Sequence, residues 1–165
     1  MVERRKPPSK GHIMAKRRAS KAKSRTKSRT KTKRAAKARK PQRFTFSHHR
    51  EEDFAEGLRA YAKYRDLGIA LATNGLVQAH VIRFVPPFKP EEVAIPHYHD
   101  VDFQMVYVLK GWMKTEFEGQ GAMVMEVGSS WIQPPRIEHR VLDYSDDCEV
   151  LEIILPADFE TVELE

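Results

Sequence analysis

The sequence predicts an all-β barrel carried behind a long basic segment, and three observations predict it. From Leu76 onward apolar residues fall into seven short runs separated by Gly, Pro, Asp or Ser, which is the punctuation of a sandwich or barrel of short strands. Two histidines one residue apart, His97 and His99, sit among those runs, and a third, His139, follows. Charge divides the chain: residues 1–43 hold 19 Lys plus Arg and one acidic residue, Glu3, a net of +18, whereas residues 44–165 hold 10 basic and 22 acidic residues, a net of −12.

Residues 1–43 read as a disordered Lys/Arg-rich tail. After Met1, Val2, Ile13 and Met14 are its only larger aliphatic side chains, so burial cannot offset the entropy of ordering it. The run SRTKSRTKTK at 24–33 is a low-complexity repeat. Closely spaced cations displace counterions from a phosphate backbone, which predicts non-specific DNA or RNA contact through Lys21, Lys23, Arg25, Lys27, Arg29, Lys31, Lys33 and Arg34. No aromatic residue precedes Phe44, so base stacking is not supported. A solubilising tail, or one that folds onto the acidic remainder of the chain, is the competing reading. Met14 is a second candidate start.

No secretory signal and no apolar run near the ~20 residues of a membrane span is visible. One cysteine, Cys148, excludes an internal disulfide and fits a reducing compartment, so a cytoplasmic protein is expected.

Residues 44–70 are expected to form an extension with a short helix. Ser47 suits a helix start with Glu51 and Glu52 in its first turn, and Phe54, Leu58, Tyr61 and Arg65 repeat at helical spacing. Residues 71–165 should then form one barrel, since the roughly 122 residues after the tail suffice for a single core. The predicted strands are 77–85, 103–109, 113–117, 122–127, 130–133, 139–142 and 149–155. Alternation along the second of these points Gln104, Val106 and Val108 inward and leaves Phe103, Met105, Tyr107 and Leu109 on an apolar outer face. That face calls for cover by the helix or by a second subunit, and a homodimer is the simplest arrangement.

The histidines carry the chemistry. On a strand, His97 and His99 point the same way and offer two imidazoles to one ion. Gln104 follows after four residues and Gly111 after six more; downstream, Gly128 is followed by Pro134, Pro135, Arg136 and His139. These two segments resemble the signature motifs of the cupin family, and the resemblance spans roughly residues 70–156. It implies a cupin-type jelly-roll barrel and a divalent transition metal held by His97, His99, Gln104 and His139. Four positions depart from the family pattern: Glu91 and Arg136 replace glycines, Gln104 the acidic ligand, and Asp143 the terminal asparagine. Neutral imidazole suits Fe, Mn, Zn, Ni or Cu, and an uncharged Gln104 leaves the centre more positive, which favours an anionic substrate.

His80, Val106, Val108 and Trp131 are the pocket candidates, and His12, His48 and His49 read as surface histidines. Redox or Lewis-acid catalysis on a small molecule is one expectation, with the catalytic residues unassigned. A non-catalytic small-molecule or metal sensor tethered to nucleic acid by the tail is the other. No Gly-rich phosphate loop, CxxC pair or Gly-x-Ser-x-Gly elbow is present, so nucleotide hydrolysis, a cysteine zinc finger and the elbow hydrolases lack support.

Overall fold

Eleven strands form among residues 40–57 and 59–164, the part of the chain that the computed structural model describes. They are β1 (Ala55–Glu56), β2 (Ala62–Asp66), β3 (Gln78–Phe84), β4 (His97–Asp100), β5 (Phe103–Lys110) and β6 (Trp112–Phe117), then β7 (Gly121–Glu126), β8 (Ser130–Ile132), β9 (His139–Tyr144), β10 (Glu149–Leu155) and β11 (Glu160–Glu163). Every pairing is antiparallel. One sheet runs β1-β2-β3-β10-β5-β8 and the other β11-β4-β9-β6-β7, a two-sheet jelly roll. The expected all-β class stands, and each of the seven predicted strands forms within two residues of its expected limits.

The two inner faces meet in one core. Phe84, Val106, Val108 and Val150 come from the first sheet, and Met113, Phe117, Met125, Val141 and Tyr144 from the second. The inward assignment of Gln104, Val106 and Val108 holds, all three being buried, while Tyr107 and Leu109 on the outer face are exposed. Gly111 joins β5 to β6 with φ 65°, and a side chain there would run into Ser145, Asp147 and the Cys148 backbone. Only glycine meets both demands.

The helix expected before the barrel is a correction. A single 3-10 turn, Glu51–Asp53, is followed by β1 and β2, and the two α-helices, α1 (Ile69–Ala72) and α2 (Pro90–Val93), lie elsewhere. The helical spacing of Phe54, Tyr61 and Arg65 loses to strand pairing: β2 aligns with β3 from Ala62↔Phe84 to Asp66↔His80, burying Ala62 and Arg65. Pro41 and Arg43, counted with the tail, already hold the barrel, the Arg43 amide on the Ala72 carbonyl and the Asn74 amide on the Pro41 carbonyl. The nucleic-acid candidates Lys21 to Arg34 lie outside the described residues. Among the described residues no helix is long and apolar enough to cross a membrane.

Candidate metal centre

β4 and β9 bring the three histidines together. His97 sits directly opposite His139, and His99 turns the same way two residues along β4. Their ligand nitrogens lie within 4.8 Å of one another, the one cluster of this kind among the described residues. Each ring is steered through Nδ1, which meets the Ile95 carbonyl at 2.8 Å for His97, the Ile137 carbonyl at 3.0 Å for His139 and Thr161 Oγ1 at 2.9 Å for His99. A carbonyl only accepts, so His97 and His139 keep their protons on Nδ1 and free the Nε2 lone pair for an ion. Thr161 comes from β11, which pairs with β4 along its length.

Burial keeps these rings neutral. Desolvation lowers the pKa of His97 and takes His99 and His139 down to about 4, so all three present lone pairs at neutral pH. Three converging neutral imidazoles are a donor set that first-row divalent metals fit. One further group competes for His139: Gln133 Nε2 donates to its Nε2 at 3.0 Å, and Trp131 Nε1 donates to Gln133 Oε1 at 3.1 Å, which fixes the amide in that sense.

The turn that delivers His139 explains one departure from the family pattern. Arg136, in the place of a glycine, adopts φ 63°, the left-handed region. Its guanidinium pairs with both oxygens of Asp100 at 2.9 and 3.0 Å, and its amide donates to the His99 carbonyl at 3.1 Å. Arg136 thus accepts a backbone strain that glycine would avoid, and its contacts tie the turn to the β4 histidines.

Facing the histidines, the first sheet sets one row of side chains across five strands. Asp66, His80, Glu152, Val106 and Trp131 are successive partners on β2, β3, β10, β5 and β8. All five line a cavity of about 350 Å³ that the three histidines also line. Of the pocket candidates, His80, Val106 and Trp131 line this cavity, whereas Val108 is fully buried in the core and is no part of the cavity wall. His48 and His49 are exposed.

Gln104 is 1% exposed and donates Nε2 to Glu152 Oε1 at 2.6 Å; among the described residues nothing donates to its Oε1. Glu152 is the residue that the sequence reading missed. Its other oxygen lies 2.6 Å from His80 Nε2, and both side chains are 12% exposed. Burial pushes the Glu152 carboxyl up, but the bonds from His80 and Gln104 outweigh it and hold the pKa below the usual value. A signal was present: Glu152 shares inward parity with Val150 and Ile154, a lone acid on a buried strand face.

Comparison with known proteins agrees with this architecture. The family described as "Cupin domain" matches residues 87–154. Among curated proteins none matches the chain in sequence. Among solved structures, KdgF from Halomonas sp. is 20% identical, with a TM-score of 0.55 over 68% of this chain and 94% of that one. The polyketide cyclase RemF from Streptomyces resistomycificus is 16% identical, with a TM-score of 0.56 over 73% of this chain and 86% of that one. A Bacillus subtilis oxalate decarboxylase described with Mn(II) centres is 15% identical, with a TM-score of 0.52 over 69% of this chain and 30% of that one.

Proposed function

Residues 87–154 match the cupin domain family, and from that premise we propose that the chain is a metal-dependent enzyme acting on a small molecule inside the barrel. The observation that carries the proposal is the convergence of three neutral imidazoles, His97 and His139 buried and His99 half-buried, on the wall of a cavity of about 350 Å³. In this reading His97, His99 and His139 hold the ion, and Gln104 adds Oε1 as a weaker, uncharged donor while its Nε2 stays on Glu152. A divalent ion there supplies Lewis acidity or, if iron, nickel or copper, redox chemistry. The chain's own residues do the rest: the Nδ1 contacts fix the rings, and Trp131 and Val106 shape the apolar side of the cavity. The neighbour with Mn(II) centres supports the reading by analogy of fold alone.

Metal analysis of the full-length chain purified without chelator tests it. Wild type should carry near-stoichiometric metal, and His97→Ala and His139→Ala should lose it, while His48→Ala keeps it. At a metal concentration of about 1,000 Kd the ion should raise the wild-type melting temperature by about 10 °C. Equal metal in all four proteins would end the assignment.

The +18 tail favours one further reading, non-specific nucleic-acid contact by residues 1–43. Removing those residues should abolish salt-sensitive retention of DNA and RNA, and unchanged retention would sink that reading. We further propose a homodimer through the outer face of β5 and β8, where Tyr107, Leu109 and Ile132 are exposed together.

A further inference from the structure

We propose that His80 is the proton-transfer residue of this cavity and that Glu152 is the positioning residue that sets its tautomer. The inference rests on the metal reading above only for the substrate's orientation. His80 and Glu152 face each other on β3 and β10, on the sheet opposite the three histidines, and all of them line the same cavity.

The hydrogen bonds assign the atoms. Gln78 Nε2 and Gln104 Nε2 can only donate, the first to His80 Nδ1 and the second to Glu152 Oε1. His80 Nε2 at 2.6 Å from Oε2 is therefore the protonated nitrogen, and Nδ1 carries the lone pair. The neighbour of Nδ1 is Gln78 Nε2 at 3.4 Å, a long contact through which that side chain can only donate. The edge of Tyr64 against the imidazole and Asp66 beside it on β2 complete the surroundings. A carboxylate held by an imidazole with both side chains 12% exposed is a poor stabiliser, since taking the charge out of water costs about as much as the contact returns. At the wall of a cavity it is an oriented base.

The geometry selects a substrate class: a small carbonyl compound with a C–H bond next to the carbonyl, its oxygen toward the histidine wall. His80 Nδ1 takes the proton from that carbon. The C–H electron pair becomes the C=C bond of an enolate, the carbonyl π pair moves onto oxygen, and the imidazolium keeps its Nε2–H on Glu152. Returning the proton to the same carbon gives exchange; returning it to the carbonyl carbon of a hydroxycarbonyl compound, while the hydroxyl proton passes to the former carbonyl oxygen and the hydroxyl carbon becomes the new carbonyl, gives isomerisation. No co-reactant is consumed.

The test uses the full-length chain, 15N-labelled at histidine, with zinc and with dihydroxyacetone in deuterated water. Zinc stoichiometry is read first and judges the metal reading by itself, because His80→Gln should bind as much zinc as wild type. His80 should then show the Nε2–H tautomer, with the Nδ1 lone pair free, with or without zinc. Deuterium should enter dihydroxyacetone about 100-fold or more faster with wild type than with His80→Gln at equal zinc occupancy. Glu152→Gln should slow turnover more than it changes KM, and free imidazole should restore exchange in His80→Ala. An Nδ1–H tautomer, no exchange by the zinc-loaded wild type, or exchange undiminished in both His80 variants would overturn the proposal.

Discussion

At the scale of single residues, the candidate metal centre differs from the cupin signature in where its carboxylate lies. Gln104 occupies the acidic position, and the acid is found on the adjacent strand as Glu152, 2.6 Å from the Gln104 amide nitrogen. Gln104→Glu therefore does more than restore a ligand: it sets two carboxyls in buried contact, and one of them must retain a proton. A carboxyl whose folded pKa is raised contributes stability below its unfolded pKa and loses it as pH rises. The metal-free variant should thus melt below wild type, by a wider margin at about pH 8 than at about pH 5, and should gain more than wild type when zinc is added. Melts with and without zinc that match wild type at both pH values would remove Gln104 from the ion's surroundings. The convergence of the three histidines was legible in sequence because spacing along one strand, or one turn, fixes it, and strand parity likewise gave the burial of Gln104. Glu152 was not legible, since its relation to Gln104 depends on the β5–β10 register, a pairing 48 residues apart.

At the scale of elements, period decided what could be read. Strands with clean alternation, β5 and β10 above all, were visible because one buried face imposes a two-residue repeat. β2 was hidden: AKYRD at the sheet margin carries a helix-like spacing, and only its pairing with β3 makes it a strand. β11 was hidden for the same reason, with four residues of which two are acidic. The outer face of β5 carries the prediction at this scale. If two copies meet there, Ile132→Lys should convert a dimer to a monomer in light scattering and leave the melting temperature of the monomer nearly unchanged, because Ile132 is 60% exposed in the single chain. A wild-type monomer at high concentration would defeat the homodimer.

Over the whole molecule, buried neutral histidines make the fold acid-sensitive. His99 and His139 have folded pKa values of about 4 against an ordinary 6.5, so the unfolded chain binds their protons first as pH falls. Their contribution is fully present above about pH 6.5 and is lost as pH falls toward about 4. Glu152, with a lowered pKa, acts in the same direction. The metal-free protein should therefore lose stability to urea between pH 7 and pH 5, and His99→Gln/His139→Gln should flatten that slope. A slope unchanged by the double substitution would show that the acid sensitivity lies elsewhere. Bound metal must be displaced by those same protons, so loading should itself fail at the acid end of this window.

β11 is a four-residue edge strand, yet it supplies Thr161 to His99 and Glu163 to Arg59. Edge strands detach from a sheet far more often than the whole chain unfolds. Each detachment would release the His99 ring, so an ion could enter or leave through a local opening that global stability does not reveal. The lifetime of bound metal would then follow the fraying rate of one short strand, and amide hydrogen exchange in β11 would report it.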